Sequence, residues 1–269
     1  MGRRAHVRAW RVMAVGVGMV LVSLAGFLPA PVMRARASAA GGASARRVVI
    51  GRSVQGRPIV AWSLGSARAR RRVVIIGVIH GNESAGLAIT SRLRRIAPPP
   101  GVQLWLVPEL NPDGVAADTR QNAHGVDLNR NFPYRWKFTA DPVYYSGPRA
   151  ESEPETRAMM GFVRRLRPTV TITYHQHMDL VDESGGDRGV ARRYARIAGL
   201  RPTCLTFLPG EETAWSNHTF PGTTAFVVEL PAGPVGPSAL ARHLRAVRAM
   251  ELGQRTGSAH QCDSVTTAA

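Results

Sequence analysis

Apolar and polar positions divide the chain into two regimes. Residues 12 to 28 form one uncharged apolar run, whereas from Arg46 onward short apolar runs alternate with polar stretches rich in glycine and proline. Arg47 to Ile50 and Pro58 to Leu64 predict two short strands joined by the turn Gly51 to Arg57. Arg71 to Ile79 is apolar almost throughout, the pattern of a strand buried on both faces. Glu83 to Ile96, with Leu87, Ile89 and Leu93 on one face, predicts a helix stopped by Pro98-Pro99-Pro100, and Val102 to Val107 predicts another strand. Ser152-Glu153-Pro154-Glu155 is a helix-start signal with proline and acids in the first turn, so Ser152 to Leu166 predicts a helix. Thr169 to His175, Pro202 to Leu208 and Thr223 to Glu229 then predict strands, and Arg188 to Ala198 and Ser238 to Leu252 predict helices. Strands alternating with helices imply a mixed sheet with covering helices. Asn111 to Tyr145 has no sustained period, and so long a loop within a compact domain predicts a functional segment.

The opening run changes the picture of where the fold begins. Arg3, Arg4, Arg8 and Arg11 precede Val12 to Leu28, and Ala35-Arg36-Ala37 or Ser38-Ala39-Ala40 supplies a small-residue cleavage motif. This is the pattern of a secretory signal, predicting an exported protein, secreted or in the cell envelope. Residues 12 to 28 are about long enough to act as a membrane tether if the signal stays uncleaved. The organisation expected is a signal or anchor over 1 to 40, a linker over 41 to 45, one catalytic domain over 46 to 253 and a polar tail over 254 to 269.

The formal charge is +17, of which residues 1 to 40 contribute six arginines and no acid, leaving +11 for the remainder. Lys137 is the only lysine among 35 basic residues, and the arginines are scattered. No basic-aromatic module accompanies them, so nucleic-acid binding is not expected. The two cysteines, Cys204 and Cys262, are too few for a structural zinc site. In an oxidising compartment they form one disulfide or stay as two thiols.

Candidate chemistry concentrates where the buried strand ends, at His80-Gly81-Asn82-Glu83. A strand stopping at His80 and turning through Glu83 brings an imidazole and a carboxylate to one place, two of the three protein ligands that a hydrolytic zinc site needs. A third ligand must come from elsewhere, and His175 closes another strand. His177, two residues on, shares the face of His175 if the strand continues.

These motifs, with Gly125-Val126-Asp127-Leu128-Asn129-Arg130-Asn131-Phe132, the stretch Arg52 to Ile59, Tyr174-His175-Gln176 and Val228-Glu229-Leu230-Pro231, resemble the zinc carboxypeptidases of the carboxypeptidase A type, and among them the compact bacterial murein peptide amidases. The resemblance runs from about Arg46 to Leu252. It implies an α/β single domain, with a mixed, mostly parallel twisted sheet covered by helices on both faces. It also implies one zinc ion held by His80, Glu83 and His175, with Asp127 accepting a hydrogen bond from the far nitrogen of His80. Glu229 would be the general base and Arg120 would stabilise the developing negative charge, while Asn129 and Arg130 would bind the free C-terminal carboxylate of a peptide substrate. The digestive carboxypeptidases carry a mobile tyrosine in the region of Ala214 to His218. This chain has none there, and Asn217 or His218 is the candidate substitute.

The expected function is therefore an exported zinc metallocarboxypeptidase acting on cell-wall-type peptides. A general carboxypeptidase, a zinc acylase of the same clan and a non-catalytic envelope binding protein are the alternatives. The sequence carries no sign of oligomeric state.

Overall fold

The computed structural model describes residues 45–252. The expected signal, most of the linker and the tail, with Cys262 and its pairing to Cys204, lie outside the described residues.

The described chain builds one eight-stranded mixed sheet. Its strands are β1 (Arg46–Arg52), β2 (Pro58–Leu64), β3 (Arg71–Val78), β4 (Val102–Glu109), β5 (Val170–Gln176), β6 (Leu180–Asp182), β7 (Arg201–Thr203) and β8 (Thr224–Leu230). The spatial order is β1-β2-β4-β3-β5-β8-β6-β7. The central block β4-β3-β5-β8 is parallel, as is the edge pair β6-β7, and the other three pairings are antiparallel. The mixed sheet expected from the sequence is thus what forms.

Burial explains why β3 occupies the middle. Val73 to Val78, apart from Gly77, are hydrophobic side chains with at most 1% exposure, so both faces of this strand must be covered. One cover packs α1 (Gly86–Leu93), α4 (Arg188–Ala198) and α6 (Pro237–Arg248) against Val73, Ile75, Ile172 and Phe226. The other packs α3 (Pro154–Leu166) and α5 (Glu212–Thr219) against Val74, Ile76 and Val107. In α4 the buried residues Ala191, Tyr194, Ala195 and Ala198 follow helical spacing and make one inward stripe.

Several elements differ from the sequence expectation. The helix after β3 begins at Gly86, not Glu83. Ala85 N–H donates to the Gln176 side chain, and Glu83 N–H returns to the His80 carbonyl, so the first residues after His80 form turns. Within the expected loop, Asn111 caps α2 (Pro112–Ala117) by accepting from Gly114 N–H, and Leu128–Arg130 is a short 3-10 turn. The strand expected over Pro202 to Leu208 is only the three-residue β7, and the expected loop from Ala214 to His218 is helix α5. The last helix ends at Arg248 and continues as a 3-10 turn over Ala249–Leu252.

Candidate metal and substrate site

The carboxyl ends of parallel strands are where open α/β sheets present their sites. Here β3 leads to His80, β5 carries His175 near its end, and β8 carries Glu229 near its end. The β5-β8 register sets His175 directly beside Glu229.

His80, Glu83 and His175 converge. His80 Nδ1 lies 2.9 Å from Glu83 Oε1, His175 Nδ1 lies 2.9 Å from Glu83 Oε2, and the two Nδ1 atoms are 3.1 Å apart. Two imidazole nitrogens and a carboxylate facing one point call for positive charge between them. Tetrahedral zinc with bonds of about 2.0 to 2.1 Å sets its ligands roughly 3.3 Å from one another, so the donor set fits that ion. Glu83 also accepts from the backbone N–H of Gln176, 3.1 Å away, which fixes the carboxylate. Burial works to raise the pKa of Glu83, but the His175 and His80 rings overcome it and hold the carboxyl well below its usual range.

Asp127 orients the set from behind. It accepts from His80 Nε2 at 2.9 Å, leaving the Nδ1 lone pair turned toward Glu83 and His175. Burial opposes ionisation of Asp127, yet His80, Arg120 and Arg130 keep its pKa low. For His80 the balance is reversed in sign: burial lowers its pKa, and Asp127 and Glu83 outweigh that and raise it.

The motif loop reaches the site through close backbone contact. A Cβ on Gly81 would sit 1.9 Å from the carbonyl carbon of Gly114 in α2, so only glycine lets β3's end and α2 touch. After α2, Arg120 donates from Nε and Nη2 to Asp127 Oδ2 and from Nη1 to Glu83 Oε1, at 2.9 to 3.0 Å. Asp127 N–H is held by the Tyr145 carbonyl, and Asn131 ties the loop through Ser146, Arg149 and Ser152. What looks aperiodic in sequence is a hydrogen-bonded scaffold.

Asn129 and Arg130 are buried beside the metal donors. Asn129 Oδ1 accepts the backbone N–H of Glu212 at the start of α5, which leaves its amide N–H groups as donors. Arg130 lies 3.9 Å from Glu211, and its guanidinium is 5.4 Å from the Tyr144 ring. Arg120 stands 5.3 Å from the other side of the same site's aromatic rim, again Tyr144. Glu229 is held partly buried, and burial raises its pKa against the pull of His175. Among the described residues its Oε2 has no hydrogen-bond partner, so this oxygen is available as a proton acceptor.

All eight residues singled out from the sequence therefore gather at one end of the sheet. Three histidines considered alongside them do not join the metal cluster. His177 is exposed beyond the end of β5, His124 bonds Glu153 at 2.8 Å, and His218 stacks on Tyr134 at 4.0 Å. Asn217 is no substitute for a mobile tyrosine. Its amide donates to the Ala225 carbonyl and accepts from the Ala225 N–H, both at 2.8 Å, clamping α5 to β8. Sequence reading missed Tyr144 and Glu211. Tyr144 gave no signal in an aperiodic loop, whereas the pair Glu211-Glu212 before an apolar helix was visible as a helix-start signal.

The comparisons with known proteins agree with this geometry. The zinc carboxypeptidase family model matches residues 37–95 and 101–186, a span that contains the metal donors, Asp127, Asn129 and Arg130 but not Glu229. Murein peptide amidase A of Escherichia coli (strain K12) is 33% identical over 146 residues, covering 49% of this chain and 60% of that protein. Carboxypeptidase A6 of Mus musculus is 29% identical over 167 residues, covering 49% of this chain and 38% of that protein. The chain thus spans less than two thirds of the curated relatives it matches. Among solved structures, a murein-tripeptide amidase from Escherichia coli O157 superposes with a TM-score of 0.66 at 23% identity, covering 77% of this chain and 94% of that one. Carboxypeptidase A from Helicoverpa armigera superposes with a TM-score of 0.63 at 17% identity, covering 76% and 69%. A fold shared with these structures, a site with the right donors and a family match over more than half its length make this chain a member of the zinc carboxypeptidase family, whose cofactor is zinc.

Proposed function

We propose that this protein is an exported metallocarboxypeptidase that hydrolyses a C-terminal amide bond, acting on cell-wall-type peptides. The observation that carries the reading is the convergence of His80, Glu83 and His175 with Glu229 one strand away. His80, Glu83 and His175 would hold the ion. When bound, zinc supplies Lewis acidity, polarising a carbonyl and lowering the pKa of a water.

The remaining steps belong to the chain's own residues. Glu229 takes a proton from the attacking water on its unpartnered Oε2 and returns it to the leaving nitrogen. Arg120 keeps two of its N–H groups beyond those given to Asp127 and Glu83, and these face the oxygen on which negative charge grows. The planar fork of Arg130 and the amide of Asn129 bind the substrate's free carboxylate, which makes the enzyme read a chain end. Asp127 acts through His80 by holding its tautomer.

The arginine-led apolar run at residues 12 to 28 supports export, and the similarity to murein peptide amidase A supports envelope peptides over dietary protein. The test is hydrolysis by the zinc-loaded protein, with and without Glu229→Gln, of an N-blocked dipeptide and of L-Ala-γ-D-Glu-diaminopimelate. Cleavage of the tripeptide alone, lost in the variant, is the expected result. Cleavage of the dipeptide at equal rate moves the assignment to a general carboxypeptidase. Turnover of neither by zinc-loaded protein overturns the enzymatic reading.

A further inference from the structure

A cavity of about 730 Å³ opens between α5, the segment Asp182 to Asp187 and the start of β8. Glu211 lines it, one residue before α5, and stands 3.9 Å from the Arg130 guanidinium. The chain leaves little freedom in this placement. Gly210 adopts φ +77, a Cβ there would lie 2.2 Å from the Arg130 carbonyl oxygen, and Phe132 N–H donates to the Gly210 carbonyl at 3.0 Å. Glu211 is therefore pinned where the carboxylate-binding arginine meets the cavity.

The cavity's charge is one-sided. Asp182 also lines it, with its oxygens engaged by Ser184 and by the Leu205 N–H. Glu211 has no such set of side-chain donors. Burial and the neighbouring Asp182 push its pKa up to about 7, against the pull of Arg130. Arg135, also on the lining, lays its guanidinium over the rings of Tyr134 and Phe207 and is exposed at the rim. Thr213, Ala214, Gly185 and Gly186 leave the interior roomy and without a basic side chain.

We propose that this cavity receives the side chain of the substrate's C-terminal residue and that Glu211 pairs with a cationic nitrogen on it, selecting an amine-bearing end residue. The inference rests on the carboxypeptidase reading, because Arg130 must hold the terminal carboxylate for the adjoining cavity to take the side chain. A carboxylate left without a close cation at the mouth of an open cavity is costly to ionise, and a substrate ammonium would supply the missing partner. Lysine and diaminopimelate offer the same ammonium, and they differ in the second carboxylate that diaminopimelate carries beside it.

The test separates recognition from turnover. The zinc-loaded full chain carrying Glu229→Gln is titrated by calorimetry with L-Ala-γ-D-Glu peptides ending in lysine, meso-diaminopimelate or norleucine, with and without Glu211→Gln and Glu211→Asp. A charge-assisted hydrogen bond predicts that the lysine peptide binds about 10- to 100-fold tighter than the norleucine peptide. Glu211→Gln should collapse that ratio to near one, and Glu211→Asp should keep part of it. Diaminopimelate binding as well as lysine places the second carboxylate in solvent; diaminopimelate binding more weakly identifies the ligand as a simple cationic side chain. Equal binding of lysine and norleucine peptides, or a ratio unmoved by Glu211→Gln, overturns the inference. Discrimination without any hydrolysis by the chain bearing its native Glu229 would sink the enzymatic reading and leave this one standing.

Discussion

Removing the Glu211 carboxylate should stabilise the fold, and more so as pH rises. In the folded chain this group sits at about 7, while an ordinary glutamate sits at 4.5. Between those values the folded state keeps a proton that the unfolded chain has released, so stability falls as pH rises through that window and levels off above it. At about 1.4 kcal/mol per pKa unit the gap corresponds to ~3 kcal/mol. The side chain retains 20% exposure, and solvent reaching it reduces the penalty, so a loss of about 1 to 3 kcal/mol between pH 5 and pH 8 is expected from this group. Glu211→Gln keeps the shape and removes the titration. Urea unfolding of both proteins at pH 5, 6, 7 and 8, read by linear extrapolation, isolates the effect as the difference between the two pH profiles. The variant should gain on the native protein steadily across the range. Parallel profiles would refute the placement of Glu211 as a buried carboxylate without a close cation.

Two further changes probe the site and its support. Asp127→Ala frees His80 Nε2 from its acceptor and should weaken zinc binding about 10- to 100-fold, measured by competition with a chromophoric chelator; unchanged affinity would show that Asp127 does not hold the ligand's tautomer. Asn217→Ala leaves the buried N–H and C=O of Ala225 without their partner and should cost about 1 to 3 kcal/mol in urea unfolding. A variant of full stability with a changed substrate preference would instead return Asn217 to a role in binding.

The metal donors were legible in the sequence because each is tied to a local event. His80 follows the longest buried strand, His175 closes another, and Glu229 closes a third run of apolar residues. A strand's end is written in its own composition. What surrounds those donors was not legible in the same way. Arg120 and Asp127 lie in a stretch with no periodicity, since its order comes from side-chain hydrogen bonds such as those of Asn131 and Asn122, not from a repeating apolar face. Helix α5 escaped notice for a related reason. Its buried residues include Glu212, Thr213 and Ser216, so a hydrophobic pattern barely registers, and Glu212 is held inside by Thr173 and Ser216.

The sequence by itself determined an α/β chain with a His, Glu, His donor set and a distant acid, because ligand chemistry and strand burial are properties of single residues and short runs. The tertiary structure alone decided that β5 and β8 lie side by side, which brings Glu229 to His175 across 54 positions of chain. It also decided that the turn before α5 folds back onto Arg130, which turns an unremarked Glu211 into the wall of a cavity. Such neighbours are set by sheet order and loop packing, long-range choices for which no short run of residues carries a signal.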